Sequence, residues 1–195
     1  MNPVADPSQA ADLIGVVLCG GESSRMGRDK GSLLRNGTPW ALVMAGLLDS
    51  LHIPVLFSIN PAQAEQYASF IPIDRLVPDT SALAGPLKGL LSVHERFPSK
   101  DILLLACDML DLDEATIVKV LDARRADDRH DFYVYADNRF AQPFCGIYTA
   151  RGLAPISRSA ATRTDLSLQS LLKGGNTLAL EVERSEAFGN YNALP

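Results

Sequence analysis

The sequence predicts an α/β fold in which helices cover both faces of a mostly parallel sheet, forming a three-layer αβα sandwich. Strand-like apolar runs alternate with helix-like segments along the 195 residues, and this alternation favours parallel strands joined by helical crossovers. Residues 101–107 (D-I-L-L-L-A-C) are apolar without alternation, which is typical of a central strand covered on both faces. Because 47% of the residues are hydrophobic, the chain can fill one substantial core. We therefore expect a single domain over residues 13–195, preceded by a loose tail at residues 1–12.

The first hundred residues are predicted to alternate three strands with three helices. The first helix is expected to begin at Thr38-Pro39, because threonine is a good N-cap and proline fits the first helical position. The apolar face of this helix is expected to include Leu42, Val43, Leu47 and Leu51. The predicted elements are, in order, a strand at 14–18, this first helix, a strand at 54–60, a short helix at 62–69, a strand at 75–78 and a helix from Pro86 towards Phe97.

The second half of the chain continues the alternation with four strands and two helices. Asp165 is expected to cap the last helix and Gly174-Gly175 to end it, because aspartate accepts hydrogen bonds from first-turn amides and glycine terminates helices. The predicted elements are a strand at 101–107, a helix at 111–124, strands at 132–136 and 144–149, a helix at 165–172 and a strand at 177–182.

Polar residues and a glycine follow several of these strands at the point where each strand ends. Ligands of such sheets bind beyond the carboxyl ends of the strands. Gly20, Asn60, Asp79 and Asp108 each come just after a predicted strand. The sequence therefore predicts one binding site at this edge of the sheet.

The most informative segment is residues 18–30, which read L-C-G-G-E-S-S-R-M-G-R-D-K directly after the first strand. Its glycines permit a close approach of backbone to ligand, and successive N–H groups in such a turn can hold phosphate oxygens. Arg25 and Lys30 add positive charge for a polyphosphate. The spacing fits neither the Walker A loop nor the G-x-G-x-x-G dinucleotide loop.

Charge and cysteine content narrow the class of protein. The net charge of −5 argues against a nucleic-acid coat or a protein of membrane surfaces. The three cysteines are odd in number and widely spaced, so they predict no disulfide framework and favour the cytoplasm. Cys19 and Cys107 are expected to end neighbouring strands as packing residues. The tail lacks the charged and apolar regions of a signal peptide, and no apolar run is long enough to span a membrane.

The glycine-rich segment resembles the signature loop of the MobA-like nucleotidyltransferases, L-x-G-G-x-S-x-R-M-G-x-D-K, at every fixed position. Within this family the sequence is most similar to the molybdenum cofactor guanylyltransferases. The resemblance implies a Rossmann-like sheet of the nucleotide-diphospho-sugar transferase type. It also implies transfer of GMP from GTP to the terminal phosphate of molybdopterin, with Mg²⁺ or alternatively Mn²⁺ as the metal and pyrophosphate as the second product.

The resemblance assigns roles to residues at the strand ends and in the loop. Asp108 is the implied metal ligand, although the family usually has a proline two residues later, where this chain has Leu110. Lys30 and Arg25 join Asp108 as implied catalytic residues, and Asp79 is placed to accept hydrogen bonds from guanine. The implied nucleotide-binding set is Leu18, Cys19, Gly20, Gly21, Ser23, Lys30, Asn60, Asp79 and Asp108.

Two further segments resemble the acceptor side of the family's site. F-G-N-Y-N near the C-terminus resembles F-x-N-x-N, and its Asn190 and Asn192 would face the same way on an extended segment. Q-P-F-C-G-I-Y contributes Gln142 and Pro143. These four residues are assigned to the acceptor side, where one or both asparagines are expected to reach the metal, the phosphates or the second substrate.

Two other functions remain open from the sequence. One is a cytidylyl- or other nucleotidyltransferase that acts on molybdopterin or on a sugar or polyol phosphate. Its cytidylyltransferase form is disfavoured by L-C-G-G, where such relatives commonly have L-A-A-G. The other is a nucleotide-binding adaptor that delivers cofactor without turnover, which the presence of both Lys30 and Asp108 disfavours. GTP and molybdopterin are the expected partners, together with molybdoenzymes or their chaperones, and the chain is expected to be a monomer.

Overall fold

The computed structural model describes residues 12–20, 29–80, 85–137, 140–160 and 167–191. The predicted tail at 1–12 lies outside these ranges except for Asp12. Within the described ranges the strands are β1 (Leu13–Leu18), β2 (Leu34–Arg35), β3 (Thr38–Pro39), β4 (Val55–Ile59), β5 (Leu76–Pro78), β6 (Asp101–Ala106), β7 (Phe132–Ala136), β8 (Ala141–Tyr148) and β9 (Thr177–Glu181). The helices are α1 (Trp40–Ser50), α2 (Ala64–Ala68), α3 (Pro86–Arg96), α4 (Glu114–Ala126), α5 (Ala150–Ser159) and α6 (Leu168–Gly174).

Seven of these strands form one sheet in the order β5-β4-β1-β6-β8-β7-β9. Every neighbouring pair is parallel except the two that involve β8, which runs antiparallel to both β6 and β7. The carboxyl ends of the other six strands therefore lie at one edge of the sheet, together with the amino end of β8. The strands β2 and β3 form a separate two-stranded hairpin.

Helices cover both faces of the sheet, which confirms the predicted three-layer sandwich. One core contains Trp40 and Met44 of α1 and Ile117 of α4, and the other contains Leu90 of α3 and Leu153 of α5. The central strand β6 supplies Leu103 and Leu105 to the first core and Ile102 and Leu104 to the second. Its continuous apolar sequence is explained by this burial, because successive side chains point to opposite faces.

The predicted starts of three helices are wrong. Thr38 and Pro39 pair with the preceding strand as β3, so the first helix begins at Trp40 without a side-chain cap. Its fully buried face consists of Trp40, Ala41, Met44, Ala45 and Leu48, whereas the predicted Leu42, Val43, Leu47 and Leu51 are only partly buried. The fourth helix begins at Glu114 rather than Asp111, because Asp113 is the residue that accepts from the Thr116 amide.

The last helix is capped by Ser167, whose hydroxyl accepts from the Ser170 amide, and not by Asp165, which lies outside the described residues. That helix ends at Gly174, as predicted. The strand expected at 144–149 is the longer β8, and α5 was not predicted at all. A proline at position 155 lies inside α5 and weakens its helical signal in the sequence.

Two smaller expectations concern the cysteines and the membrane. Cys19 and Cys107 follow directly after the paired strands β1 and β6, and the Cys107 amide donates to the Leu18 carbonyl, so the predicted neighbourhood of the two cysteines is confirmed. All three cysteines are buried and unbridged. Among the described residues, the helices are too short or too polar to cross a bilayer.

Candidate active site

The structure brings four of the predicted residues to one edge of the sheet. Gly20 follows β1, Asn60 follows β4, Asp79 follows β5 and Asp108 follows shortly after β6. Because the strand order is β5-β4-β1-β6, Asp79 and Asp108 lie three strand spacings apart, roughly 14 Å at about 4.8 Å per spacing. The edge therefore has two ends, one at Asp79 and one at Asp108, which an extended ligand could join across Gly20.

The first end is built around the half-buried carboxylate of Asp79. The Ser58 hydroxyl donates to the Asp79 Oδ1 at 3.0 Å, and the Asp79 amide donates to the Ile59 carbonyl at 2.9 Å. Burial raises the pKa of Asp79, and this effect is partly offset by the Ser58 hydrogen bond and by the positive charge of Lys88. Ser58 thus orients the carboxylate through one of its two oxygens.

Glycines allow the backbone to approach Asp79 closely. A Cβ at Gly20 would lie 3.2 Å from the Asp79 Oδ2 and 3.2 Å from the Asn60 amide nitrogen. A Cβ at Gly89 of α3 would overlap the Ser58 hydroxyl. Without side chains at these two positions, the backbone of Gly20 and the helix at Gly89 can pack directly against Asp79 and Ser58.

Asn60 has a local structural role at its strand end. Its side-chain oxygen accepts from the Ala62 amide at 3.0 Å, and its own amide donates to the Gln63 side chain at 2.7 Å. This reciprocal capping begins the turn that leads into α2. Gln63 also donates to the Cys19 carbonyl at 3.4 Å, so the turn is tied to the chain just before Gly20.

The second end contains an ion pair between Lys30 and Asp108. The Lys30 Nζ lies 2.8 Å from the Asp108 Oδ2, and the two side chains are 20% and 14% exposed. Sequence separation is 78 residues, so the pair is made by the fold and not by local sequence. Because both side chains are largely shielded from water, their charges attract each other more strongly than those of an exposed pair. This end of the edge therefore presents one positive and one negative group to a ligand.

A short network holds the backbone on which Lys30 stands. Residues Lys30–Ser32 form one turn of 3₁₀ helix, capped by the Asp29 carboxylate, which accepts from the Gly31 amide at 3.0 Å. The buried Tyr67 hydroxyl donates to the same Asp29 oxygen at 2.9 Å. Burial raises the pKa of Asp29, and the hydrogen bonds from Tyr67 and Gly31 oppose that rise.

The turn that carries Asp108 is held from two sides. Arg35, the last residue of β2, donates to the carbonyl of Leu110, the position where the family that this sequence resembles usually has a proline. The amide of Tyr191 donates to the Asp108 carbonyl at 3.0 Å, and its hydroxyl donates to Asp111 at 2.5 Å. These contacts bring the exposed Asn190 beside the turn.

The antiparallel direction of β8 places Gln142 and Pro143 at the same edge. β8 pairs with β6 through residues such as Gly146, opposite Leu104, so its earlier residues extend beyond the carboxyl end of β6. Cys145 has a positive φ of 57° next to a shift in the pairing with β7, which bends this half of the strand. Gln142 and Pro143 are partly buried there.

The donor set at Asp108 suits a hard divalent cation that arrives with phosphates. Mg²⁺ usually takes one or two carboxylates together with substrate oxygens and water. Among the described residues no group of three or more His, Cys, Asp or Glu side chains could hold a metal by itself. One carboxylate at this edge fits a metal whose other ligands come from a bound nucleotide.

Other predicted site residues lie outside the described ranges, namely Gly21, Ser23, Arg25 and Asn192. Conversely, four residues that contact the site were not identified from the sequence: Ser58, Asp29, Tyr67 and Tyr191. Asp29 lies in the glycine-rich segment and Tyr191 in F-G-N-Y-N, so their membership in these motifs could have identified them. Ser58 and Tyr67 lie in an apolar strand and a short helix, where nothing in the local sequence marks them.

Residues 15–181 of this chain match the MobA-like NTP transferase domain. The molybdenum cofactor guanylyltransferase of Pseudomonas entomophila is 30% identical over 182 residues, which cover 91% of this chain and 92% of that protein. The molybdenum cofactor biosynthesis bifunctional protein of Synechocystis sp. is 32% identical over 151 residues, which cover 76% of this chain but 42% of that longer protein.

Solved structures share the fold at low identity. Molybdopterin-guanine dinucleotide biosynthesis protein A from Archaeoglobus fulgidus has a TM-score of 0.71 and 18% identity, covering 91% of each chain. The 4-diphosphocytidyl-2C-methyl-D-erythritol synthase of Anaerococcus prevotii has a TM-score of 0.68 and 9% identity, covering 97% of this chain and 94% of that one. The fold is therefore that of the nucleotide-diphospho-sugar transferases, as predicted.

Proposed function

This chain belongs to the MobA-like NTP transferase family, and from that membership we propose that it transfers GMP from GTP to the terminal phosphate of molybdopterin. The chain is a nucleotidyltransferase of molybdenum cofactor biosynthesis. In the proposed reaction an oxygen of the molybdopterin phosphate attacks the α-phosphorus of GTP. The bond from the α-phosphorus to the bridging oxygen breaks, and pyrophosphate leaves. The observation that carries this proposal is the pairing of Lys30 with Asp108 at the edge that also holds Asp79.

The base is proposed to bind at the Asp79 end. The two oxygens of the Asp79 carboxylate, one of which also accepts from Ser58, can together accept from guanine N1–H and the 2-amino group. Leu18, Cys19, Gly20 and Asn60 supply the backbone and side-chain groups around this end. A site whose buried acceptors need these donors rejects a base that lacks them, because its own polar groups would then be left unpaired.

The triphosphate is proposed to extend from the base towards Lys30. Lys30 and Arg25, with the backbone N–H groups of the glycine-rich loop at Gly21 and Ser23, would hold the β- and γ-phosphates. These groups also neutralise the negative charge that grows on the departing pyrophosphate, which is the main demand of phosphoryl-type transfer. The acceptor phosphate is already ionised, so no strong general base is needed.

Asp108 is proposed to hold Mg²⁺, or alternatively Mn²⁺, which when bound polarises the phosphate oxygens and offsets their charge. Asn190 would flank the same end, since the adjacent Tyr191 amide donates to the Asp108 carbonyl, and the family motif suggests that Asn192 acts with it. Gln142 and Pro143 would line the acceptor side beyond β6. Holding the two substrates in line at this edge turns a two-body encounter into a reaction within one complex.

Replacement of Lys30 by alanine is expected to weaken GTP binding and slow turnover together. Loss of a charge-assisted contact to phosphate costs roughly 1.5–3 kcal/mol, or on the order of ten- to a hundredfold in kcat/KM. Added salt should compete with GTP in the wild type and less in the variant. Titration of GTP at several salt concentrations, combined with steady-state kinetics, checks this expectation.

Lys100→Ala is the matched control for this experiment. Lys100 is 31% exposed and pairs with Asp12 at 3.6 Å, next to the amino ends of β1 and β6 and far from the candidate site. Its removal should leave GTP affinity unchanged. Equal GTP affinity in the wild type and in Lys30→Ala would mean that Lys30 does not bind the phosphates.

The nucleotide and the acceptor are tested by one screen. The purified protein is mixed with molybdopterin and each of GTP, CTP, ATP and UTP, and the dinucleotide product is scored. We expect product from GTP alone at low nucleotide concentration. A preference for CTP would favour cytidylyl transfer, and binding without product from any of the four would favour an adaptor that delivers cofactor.

We place this reaction in the cytoplasm, on a monomer that passes its product to molybdoenzymes or their chaperones. The three free cysteines are compatible with a reducing compartment. Sedimentation with and without a candidate molybdoenzyme measures both the monomeric state and the transfer partner.

A further inference from the structure

Tyr67 lies in the short helix α2, and its side chain is fully buried. Its ring packs against Phe70 with centroids 5.2 Å apart, on the core face that also contains Cys19. A buried tyrosine hydroxyl usually has a hydrogen-bond partner. Here that partner is the Asp29 carboxylate, 38 residues earlier in the chain.

The hydroxyl of Tyr67 can act only as a donor to this carboxylate. Burial, reinforced by the negative charge of Asp29, raises the pKa of Tyr67 far above its ordinary value, so the hydroxyl keeps its proton. The Asp29 Oδ1 that accepts this hydrogen bond also accepts one from the Gly31 amide. Its second oxygen is buried and has no hydrogen-bond partner among the described residues. Tyr67 and Gly31 therefore hold the Asp29 Oδ1, and the side chain of Gln63 adds a weaker contribution to the carboxylate.

Gly31 fits between Tyr67 and the end of the first strand. A Cβ at this position would overlap the Tyr67 hydroxyl and would lie 3.4 Å from the Cys19 Cβ. The Ser32 hydroxyl donates to the Asp29 carbonyl at 2.9 Å and closes the turn. The turn is thus pressed against Tyr67 on one side and bonded to Asp29 on the other.

Lys30 stands on this turn, between Asp29 and Gly31. Its long side chain is flexible by itself, and the direction in which it leaves the turn decides whether its ammonium reaches the phosphate end of the site. We propose that Tyr67 is a positioning residue for the nucleotidyl transfer, which fixes Asp29 and through it aims Lys30 at the triphosphate. This inference rests on the proposed role of Lys30.

The test is a double-mutant cycle on GTP binding. Tyr67→Phe removes only the hydroxyl, and we expect about a tenfold loss of GTP affinity, as the loss of a buried hydrogen bond to a charged group implies. In the Lys30→Ala background the same substitution should have no further effect, because the side chain that it positions is gone. Tyr133→Phe is the control, since its buried hydroxyl donates to the Asp127 carbonyl at the opposite end of the sheet.

A second variant separates positioning from simple stabilisation. Gly31→Ala should displace the Tyr67 hydroxyl and lower both the Tm and the GTP affinity. Adding Tyr67→Phe removes the clashing oxygen, so the Tm should recover while the GTP affinity stays low. Recovery of both would show a purely structural contact and overturn the proposal. This pair of variants also serves if Tyr67→Phe alone does not fold.

The outcomes distinguish this inference from the proposed function. If Lys30→Ala weakens GTP binding and Tyr67→Phe weakens it by an independent factor in both backgrounds, the role of Lys30 stands and the positioning role of Tyr67 is wrong. If Lys30→Ala leaves the affinity unchanged, both are wrong. A loss in Tyr67→Phe that disappears in the Lys30→Ala background supports both.

Discussion

Asp108→Asn is expected to lower the turnover rate on the order of a thousandfold while the fold remains intact. The cause is the loss of several kcal/mol of transition-state stabilisation. The amide keeps the shape of the side chain but loses the charge that would hold the cation and that pairs with Lys30 at 2.8 Å. The side chain lies at the rim of the sheet and not in its core, so little packing is lost. Single-turnover product formation at saturating Mg²⁺ and GTP measures the effect.

Asp101→Asn provides a control at the other end of β6, the strand that Asp108 follows. Asp101 begins β6, pairs with Arg124 at 3.1 Å and is 18% exposed, against 14% for Asp108. Both substitutions remove one partly shielded ion pair, and both are expected to lower the Tm by a similar amount. Only Asp108→Asn should lose nearly all turnover. A kcat of Asp108→Asn close to that of the wild type would rule out the metal-binding role of Asp108.

Asp79→Ala is expected to lower the preference for GTP over CTP and ATP by roughly one to two orders of magnitude, as loss of a buried charged acceptor implies. The Mg²⁺ dependence should change little, since the metal is proposed to lie with Asp108, roughly three strand spacings of about 4.8 Å away. Values of kcat/KM for the three nucleotides in wild type and variant test the expectation. A parallel fall for all three would mean that Asp79 supports the phosphates or the loop and does not read the base.

Acidification should weaken the same preference in the wild type. Burial raises the pKa of Asp79, so its carboxylate takes up a proton at a higher pH than a solvated aspartate does. The protonated form has lost one acceptor for guanine, and GTP affinity should therefore fall as the pH decreases towards that raised pKa. ATP affinity should not follow. Titrations of both nucleotides over this range in wild type and Asp79→Asn show whether the pH effect belongs to Asp79.

The strands were predictable because burial on both faces leaves a direct trace in the sequence, as in β6. The direction of β8 was not, since a strand of Ala141–Tyr148 has the same local pattern whether it runs parallel or antiparallel. The pairing with β6 and the bend at Cys145 depend on residues about forty positions apart. The helix α5 was missed for a local reason, because Gly152 and Pro155 are poor helix formers that tertiary packing tolerates here.

In the site, too, local sequence patterns placed some residues, whereas the contacts made by the fold could not be predicted. Asp79 and Asp108 could be placed from the sequence because a polar residue after an apolar strand must emerge at the sheet edge. Their partners could not, because the contacts from Ser58 to Asp79 and from Lys30 to Asp108 span 21 and 78 residues. Tyr67 was the least visible, since its role depends on one hydroxyl inside an apolar core.

The Lys30–Asp108 ion pair has a consequence for the order in which substrates arrive. The Asp108 carboxylate already contacts the Lys30 ammonium, so under the proposed function a bare cation would compete with that ammonium for the carboxylate. A nucleotide without a cation would leave the carboxylate facing phosphate. A cation and a triphosphate that entered as one complex would offer both side chains a partner together, phosphate oxygen for Lys30 and the cation for Asp108. Under the proposed function we therefore expect GTP to bind more tightly with a divalent cation than without one.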